Sequence, residues 1–477
     1  MKKVVHVRNF LLLLLFAPLL FSNSVSAQII NTVAGCDTTF YAGDNGPALF
    51  AQFNDPVSVA VDDSLNIYIA DQNNNRIRKV YSRNDTVVTI AGDSLQGNGV
   101  DTADFIIYGG SFYKAEYAYI YAPSSIVLDA QANLYFADQD NNIIRKIIHA
   151  NDSMSTITGN YKLGAGFNGD KPMPADSVQL FYPSGLTLDS SGNVYIADFY
   201  NNRLRKLTVA TGIVTTLAGN TNLGDTVWGY NGDGGLATAA QFNGIYGVAI
   251  DHQQNIYLVD QGNNCIRKIN TSTGIVTTVA GNGISGYSGD GDSAIHATLS
   301  SPNAIILDPF GNLYIADGGN NVIRAVSVST GLISTFAGNG TAGFSGDGGA
   351  ATSAQLYNPS GMAFDKNGNL YIADEFNSRI REITNITGIK ESKLPSNSVN
   401  VFPVPGNGNL HIQLGGSGFT SLIVIDALGR QVYEQSLSST QFGLNLNINL
   451  SAASAGLYYL QAVSQTGMIC KPIVIQK

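Results

Sequence analysis

The sequence is poor in cysteine and in long apolar runs. Among its 477 residues there are only three cysteines, Cys36, Cys265 and Cys470, and their spacing matches no metal-binding pattern. A chain this poor in cysteine is not held together by a disulfide framework, so we interpret the three as small apolar residues. After residue 27, no stretch reaches the ~20 apolar residues that a membrane-spanning helix requires. We therefore predict no transmembrane segment.

Helical periodicity, positive charge and catalytic motifs are also scarce. No segment keeps a 3.6-residue apolar period over a useful length, which excludes a solenoid of helical repeats. The formal net charge is −9 at pH 7, and this argues against the basic face that a nucleic-acid partner would require. The five histidines form no His-Glu-x-x-His arrangement, and neither a Gly-x-Ser-x-Gly elbow nor a phosphate-binding loop occurs. Signals for catalysis are therefore weak.

The first 27 residues predict a secretory signal peptide. Lys2, Lys3 and Arg8 make its basic start, residues 10–21 are apolar, and small residues precede Gln28. Removal of this segment takes away three basic residues and no acidic one, which leaves a net charge of about −12. We expect the mature chain to be exported.

What the sequence has in quantity is glycine, with 52 residues, and one short phrase that occurs six times. The phrase is an apolar run with tyrosine or phenylalanine that ends in Asp, followed by polar residues and an Arg seven positions after the Asp. The aspartates are Asp71, Asp138, Asp198, Asp260, Asp317 and Asp374, and the arginines are Arg78, Arg145, Arg205, Arg267, Arg324 and Arg381. Successive copies lie 57 to 67 residues apart, which indicates a repeat architecture.

Each repeat contains four strand-like runs separated by turn residues, which predicts a small antiparallel sheet. Such a sheet cannot bury both faces alone, and a radial arrangement of sheets covers each with its neighbours. The fourth runs are offset from the others, because residues 29–35 precede every other run while the last repeat has no fourth run after it. We therefore predict that residues 29–35 close the ring as the outer strand of the last sheet.

The repeated phrase resembles the NHL repeat, as in the run from Tyr68 to Asp71 followed by the run from Asn74 to Lys79. The resemblance covers residues 29–386 and implies an all-β fold, a six-bladed NHL-type β-propeller closed by an N-terminal strand. Because the Asp and Arg recur at six identical positions, we predict that they serve a structural role by hydrogen bonding the backbone.

Past residue 383 the repeat stops. Residues 387–398 are polar and predict a linker, and the alternating runs that follow predict a small Ig-like β-sandwich. Residues 399–477 resemble the C-terminal sorting domain of type IX secretion substrates, at 425–430, 455–459 and the basic end 471–477. The predicted division is thus signal peptide 1–27, propeller 28–386, linker 387–398 and sorting domain 399–477. The resemblance implies the type IX secretion machinery as a partner and a secreted or outer-membrane surface-attached protein.

A second phrase, aromatic-Ser/Asn-Gly-Asp-Gly, occupies the connections between repeats at 230–234, 287–291 and 344–348, with reduced forms at 43–46 and 167–170. In an antiparallel meander these loops share one rim with the hairpins between the second and third runs, which contain Asn-Asn pairs at 74–75, 141–142, 201–202, 263–264 and 320–321. Carboxylates on glycine turns could hold Ca²⁺, with Asp290 and Asp292 as the best local pair. One or two carboxylates per loop are few, and Asp-Gly is ordinary turn chemistry. We therefore predict no cofactor and keep Ca²⁺ as the weaker alternative.

The connection at residues 93–122 lacks the Gly-Asp-Gly phrase and is rich in tyrosine. Tyrosine offers rigid apolar area with a polar tip, which suits glycan stacking and protein recognition alike. An extended segment would place alternate rings on one side. The candidate ligand-binding residues are Tyr108, Tyr113, Tyr117, Tyr119 and Tyr121. The alternative is that this insertion folds back and packs its rings against the first two blades as a structural lid.

Two functions remain open. The first is a secreted or cell-surface binding module that recognises protein or glycan on its loop-rich face. The second is a metal-dependent lyase or hydrolase with its site at the propeller channel. The near-equal repeats and the missing catalytic motif favour the first, so we predict no catalytic, cofactor or metal-binding residues, and neither composition nor motif names the ligand.

Overall fold

The computed structural model describes residues 28–36, 39–93, 114–219, 229–384, 398–402, 409–415, 419–426, 430–437, 444–464 and 467–475. The chain divides into two compact units, Met1–Ile386 and Thr387–Lys477. Over the described residues, no helix is long and apolar enough to cross a membrane. Both units are built from antiparallel strands and short turns.

The described part of the first unit contains six antiparallel sheets, named I to VI here in chain order. An N-terminal strand, β1 (Ile29–Ala34), precedes them. Sheet I contains β2 (Pro56–Val61), β3 (Ile67–Asp71), β4 (Arg76–Tyr81) and β5 (Thr86–Ala91). Sheet II contains β6 (Pro123–Leu128), β7 (Leu134–Asp138), β8 (Ile143–Ile148) and β9 (Ser153–Thr158). Sheet III contains β10 (Met173–Pro174), β11 (Pro183–Leu188), β12 (Val194–Asp198), β13 (Arg203–Thr208) and β14 (Ile213–Ala218).

The remaining three sheets repeat this plan. Sheet IV contains β15 (Ile245–Ile250), β16 (Ile256–Asp260), β17 (Cys265–Asn270) and β18 (Ile275–Ala280). Sheet V contains β19 (Ala304–Leu307), β20 (Leu313–Asp317), β21 (Val322–Val326) and β22 (Ile333–Ala337). Sheet VI contains β23 (Gly349–Ala350), β24 (Pro359–Phe364), β25 (Leu370–Asp374) and β26 (Arg379–Thr384), and β1 lies between β23 and β26.

The repeated sequence accounts for this plan locally. In every sheet, the strand that ends in the repeated Asp is buried along its whole length, because neighbouring sheets cover both of its faces. The hairpin after it needs one residue in the left-handed region, and Asn tolerates that conformation. The second Asn of each pair supplies it, as Asn75 does with a φ of 54° and Asn264 with a φ of 50°.

The six sheets close on themselves. One strand of each sheet contacts the corresponding strands of both neighbouring sheets. These strands are β2, β6, β11, β15, β19 and β24, and the series returns from β24 to β2. Hydrogen bonds join these strands, for example from Ser360 Oγ to Val57 O at 3.0 Å. Strand β1 pairs with β26, with Ile30 opposite Ile383, so the closure predicted from the strand offset is confirmed.

Each connection between sheets contains a three-residue 3-10 turn that begins with an alanine, which is buried in all but Ala175. The six turns are Ala48–Phe50, Ala115–Tyr117, Ala175–Ser177, Ala237–Ala239, Ala294–His296 and Ala351–Ser353. Further 3-10 turns lie at Gln72–Asn74, Tyr161–Leu163, Gln261–Asn263, Gly318–Asn320 and Glu375–Asn377. Just before each of the six, the chain pairs with the outer strand of the next sheet. This pairing shortens the exposed edge of that strand.

These turns correct the interpretation of the tyrosine-rich connection. Residues 115–120 are one copy of a pattern of six, in which an alanine is followed three positions later by a second alanine, or by Val178 in one copy, and two positions after that by a large apolar residue. Ala115, Ala118 and Ile120 are the buried members of this copy. The segment from Ala115 onward is therefore part of the repeat rather than an insertion, and Ala115–Tyr117 is a 3-10 turn rather than an extended strand.

The second unit contains two sheets in its described residues. One consists of β27 (Ser398–Phe402), β28 (Asn409–Gly415) and β31 (Leu444–Asn449). The other consists of β29 (Phe419–Asp426), β30 (Gln431–Ser436), β32 (Gly456–Ser464) and β33 (Gly467–Ile475). A single hydrophobic cluster takes Leu410 and Ile412 from the first sheet and Leu422, Leu460 and Ile473 from the second.

Candidate functional site

The repeated Asp and Arg form a buried ion pair in every sheet. The pairs are Arg78–Asp71 at 3.2 Å, Arg145–Asp138 at 2.6 Å, Arg205–Asp198 at 3.2 Å, Arg267–Asp260 at 3.2 Å, Arg324–Asp317 at 3.6 Å and Arg381–Asp374 at 3.2 Å. Each Asp also accepts a backbone amide from the connection before its sheet, as Asp71 Oδ1 does from Asn54 N at 2.8 Å. The structural role predicted for these positions is confirmed.

Burial dominates the titration of these carboxyl groups. It raises the pKa of Asp71 to about 6, although the Asn54 amide and the Arg78 guanidinium act in the opposite direction. The same cause raises the pKa of Asp317 to about 6. A buried pair of this kind is costly to break from one side, because the remaining charge is left without compensation.

The Gly-Asp-Gly loops complete these pairs. Five loop carboxylates contact the same arginines, in the pairs Arg78–Asp44 at 2.6 Å, Arg205–Asp170 at 3.7 Å, Arg267–Asp233 at 2.7 Å, Arg324–Asp290 at 2.7 Å and Arg381–Asp347 at 2.8 Å. The aromatic residue of each loop lies over the same guanidinium, at 4.9 to 5.2 Å from ring centroid to Cζ for Tyr41, Phe167, Tyr230, Tyr287 and Phe344. The phrase therefore closes each loop on a buried arginine.

This arrangement gives the proposed calcium pair other partners. Asp290 Oδ1 binds Arg324, and Asp292 Oδ1 accepts the Ser293 amide at 2.6 Å. Throughout the described ranges, no group of three or more His, Cys, Asp or Glu side chains is placed to hold a metal ion. Binding of Ca²⁺ at these loops stays a prediction for metal analysis to decide.

The hairpins and the Gly-Asp loops do share one rim, as predicted. Asn263 Nδ2 donates to Gly229 O at 2.8 Å, and Asn320 Nδ2 donates to Gly286 O at 2.7 Å. In sheet I, Asn74 Nδ2 donates to Phe40 O at 3.3 Å. The first Asn of each of these hairpins thus ties the loop to the sheet on the rim.

The predicted tyrosines are only partly described. Tyr108 and Tyr113 lie outside the described residues. Tyr117 is 64% exposed and Tyr121 is 40% exposed, while Tyr119 is half-buried. From Ala118 onward, burial alternates with exposure, so the rings of Tyr119 and Tyr121 do not enter the core with Ala118 and Ile120.

Tyr117 lines a cleft of about 450 Å³ on the rim between sheets I and II. Across this cleft lie the half-exposed ring of Tyr41 and the carboxylates of Asp44 and Glu116. Hydrogen bonding to Glu116 raises the pKa of the Tyr117 phenol, and Tyr41 Oη donates to Asp44 Oδ2 at 2.7 Å. The residue that sequence reasoning missed is Arg76, whose guanidinium carbon lies 3.6 Å from the centroid of the Tyr41 ring.

The central channel is a second concave region. It has a volume of about 290 Å³ and lies between β2, β6, β11, β15, β19 and β24. Its lining includes Ser58, Ser184, Tyr246 and Asn303. Outside this lining, burial and the nearby charge of Asp55 raise the pKa of Glu375 to about 8, and Glu375 accepts a hydrogen bond from Asn358 Nδ2 at 3.0 Å. The group is therefore mostly protonated at neutral pH.

Comparison with known families agrees with this architecture. A model of the NHL repeat matches residues 53–80 and 182–207, a Teneurin NHL domain model matches residues 340–415, and a secretion system C-terminal sorting domain model matches residues 400–476. The chain contains NHL repeats, folds as a β-propeller and carries a type IX secretion sorting domain. It is secreted or attached to the outer-membrane surface.

Relatives of known identity share the repeats at low sequence identity. The chain is 27% identical over 354 residues to protein SUPPRESSOR OF QUENCHING 1, chloroplastic, of Arabidopsis thaliana, which covers 71% of this chain and 31% of that protein. It is 26% identical over 308 residues to NHL repeat-containing protein 2 of Bos taurus, covering 60% and 40%, and 27% identical over 374 residues to Teneurin-1 of Mus musculus, covering 71% and 13%. The chain thus spans less than half the length of each of these relatives.

Two solved structures from Bacteroides thetaiotaomicron have a similar fold. A protein of unknown function superposes with a TM-score of 0.55 at 18% identity, covering 75% of this chain and 76% of that one. An auxiliary nutrient binding protein superposes with a TM-score of 0.52 at 17% identity, with the same coverage of 75% and 76%. These similarities concern the fold alone.

Proposed function

We propose that this protein is a secreted or surface-attached binding module that recognises a glycan or protein ligand in the rim cleft between sheets I and II. In this proposal the six sheets are the six blades of a closed propeller. The observation that supports it best is the exposed ring of Tyr117 in a cleft that also contains Tyr41 and charged side chains. An exposed tyrosine supplies contact area at low entropic cost.

The turn itself does not require a ring at the position of Tyr117. The corresponding third residue of the 3-10 turn is small in three other connections, at Ser177, Ala239 and Ser353, and carries a ring in two, at the 73% exposed Phe50 and at His296. Small residues suffice for the turn itself, so the fold does not require a large ring at this place. A large exposed ring without a packing role is a feature of recognition surfaces.

Binding can be tested on the mature chain with a glycan array and with surface proteins of the producing cells. We expect Tyr117→Ala to abolish binding of the captured ligand and to leave the melting temperature unchanged. Tyr121→Ala is the matched control, because it removes a half-exposed ring of the same segment that does not line the cleft. Loss of binding in Tyr121→Ala alone, or a large fall in melting temperature with affinity intact, would contradict the proposal.

In this proposal the second unit directs export of the protein. We propose that residues 399–477 form an Ig-like β-sandwich, which the two sheets around one hydrophobic cluster support. Truncation after Ser398 should leave a folded propeller in the periplasm of a host with the type IX machinery. Surface display of the truncated chain would contradict this assignment.

The alternative function is a metal-dependent lyase or hydrolase at the channel. It predicts a stoichiometric bound ion, so elemental analysis of the purified protein separates it from a binding module. The channel residues named above carry hydroxyl and amide groups rather than carboxylates. The geometry therefore supports the rim cleft better than the channel.

A further inference from the structure

Arg76 is a buried arginine whose charge has no carboxylate partner among the described residues. Its side chain is 6% exposed, and it begins the third strand of sheet I. Nη1 donates to Asn74 O at 2.9 Å, while Nε is buried and has no acceptor. A buried guanidinium without a counter-charge is costly, and such a group calls for an explanation.

Arginine occupies the same strand position in sheets III and VI. In sheet VI, Arg379 Nη1 donates to Asn377 O at 2.8 Å and its guanidinium carbon lies 3.7 Å from the Phe344 ring, as that of Arg76 does from the Tyr41 ring at 3.6 Å. In sheet III, Arg203 Nε donates to the loop carboxylate Asp170 Oδ1 at 3.1 Å, with the Phe167 ring 5.0 Å from its guanidinium carbon. In sheet I the corresponding loop carboxylate, Asp44, pairs with Arg78. Asp44 Oδ1 accepts hydrogen bonds from Arg78 Nε at 3.1 Å and from Arg78 Nη2 at 2.6 Å. Sheet I thus has two arginines and one loop carboxylate where its loop meets the strands.

Arg76 lines the rim cleft together with Tyr41, Thr89, Glu116 and Tyr117. The cleft therefore combines a guanidinium group that can donate hydrogen bonds to a carboxylate, two carboxylates that can accept hydrogen bonds from hydroxyl groups, and exposed aromatic rings. A ligand with several negative charges, such as an acidic peptide, would meet repulsion from Asp44 and Glu116. A sugar acid brings one carboxylate with several hydroxyl donors and a C–H face for stacking.

We propose that the ligand of this cleft is an acidic saccharide, whose uronic-acid carboxylate is bound by Arg76 while its ring packs on Tyr117. This inference rests on the proposed binding function and names its ligand class. The carboxylate supplies the missing counter-charge of Arg76, and the hydroxyl groups donate to Asp44 and Glu116. Arg76 is the specificity-determining residue, because a neutral sugar leaves its charge without compensation.

The experiment is calorimetric titration of the mature full chain with oligosaccharides that each carry a single uronic acid, galacturonate, glucuronate or mannuronate, among neutral sugars, each beside its carboxyl-reduced neutral counterpart. We expect the acidic form to bind at least about 10-fold more tightly than the neutral form, and more weakly at higher salt. Arg76→Gln should weaken acidic binding by about 10- to 100-fold, the usual contribution of a charge-assisted hydrogen bond. Arg76→Lys keeps the charge without the planar fork and should recover part of the affinity.

Arg203→Gln is the matched control for the strand position. It removes a partnered arginine outside the cleft, so we expect lower thermal stability with affinity unchanged, whereas Arg76→Gln should lower affinity with stability nearly unchanged. Equal binding of acidic and neutral forms, with Tyr117→Ala still abolishing it, would overturn the acidic assignment and leave the rim site in place. Capture of a protein ligand that needs Tyr117, with no saccharide bound, would do the same. A ligand that depends on neither residue would overturn both proposals.

Discussion

Sheets I and V use the same loop chemistry to different effect. In sheet V, Tyr287 and Asp290 close on one buried arginine, Arg324, and the first position of its third strand is the apolar Val322. In sheet I that position is Arg76, so the loop faces a second cation that it does not neutralise. The comparison shows that the repeated phrase closes its loop on one arginine in both sheets, and that sheet I places a second arginine beside that loop.

Loss of the closing strand should have the largest effect on this ring. Deletion of residues 29–35 removes β1, with the buried side chains of Ile30 and Ala34, and opens the edge of β26. We expect a loss of several kcal/mol or no cooperative transition at all, measured by thermal and denaturant unfolding. An equal deletion at 387–393, in the predicted linker, is the control, and equal midpoints for the two deletions would refute closure.

The next effect separates the two kinds of arginine. Arg324→Ala leaves the buried Asp317 without its cationic partner and should cost about 3–5 kcal/mol of stability. Arg76→Ala removes a buried charge that has no carboxylate partner in the described part of the chain, so we expect a change within about 1 kcal/mol. Urea unfolding of both variants checks the comparison. A larger loss for Arg76→Ala would show that Arg76 has a structural role like that of Arg324.

The features of the fold that could be predicted from the sequence are those that repeat. Six copies of one phrase sufficed for the sheets, the closure by β1 and the shared rim, because period-2 strands and turn residues are local signals. The Ala-x-x-Ala turn was missed, since small residues give no hydrophobic period, and Ala115–Tyr117 was therefore assigned to an insertion. The role proposed for Arg76 could not be predicted from the sequence, because it depends on the pairing of Asp44 with Arg78 in the folded chain.

Glu375 offers a smaller, pH-dependent test. Burial raises the pKa of Glu375 to about 8, far above its value in an unfolded chain. Between about pH 4.5 and pH 8 the folded state keeps a proton that the unfolded state has released, so stability falls as pH rises through this window. Glu375→Gln mimics the protonated group and should gain about 1–3 kcal/mol over the parent protein at pH 8, with little difference at pH 4.5. A constant difference across denaturant midpoints at pH 4.5, 6.5 and 8 would contradict the raised pKa.

The smallest effect concerns the two kinds of tyrosine on the rim. Tyr287 lies over the buried Arg324 at 5.0 Å and its hydroxyl contacts Thr335 Oγ1 at 2.6 Å, so Tyr287→Ala should cost about 1–2 kcal/mol. Tyr117 is 64% exposed and has no such role, so Tyr117→Ala should change stability by less than about 0.5 kcal/mol. Differential scanning calorimetry resolves this difference. If Tyr117→Ala costs as much as Tyr287→Ala, the ring at Tyr117 serves the fold, and its exposure would no longer support a binding site.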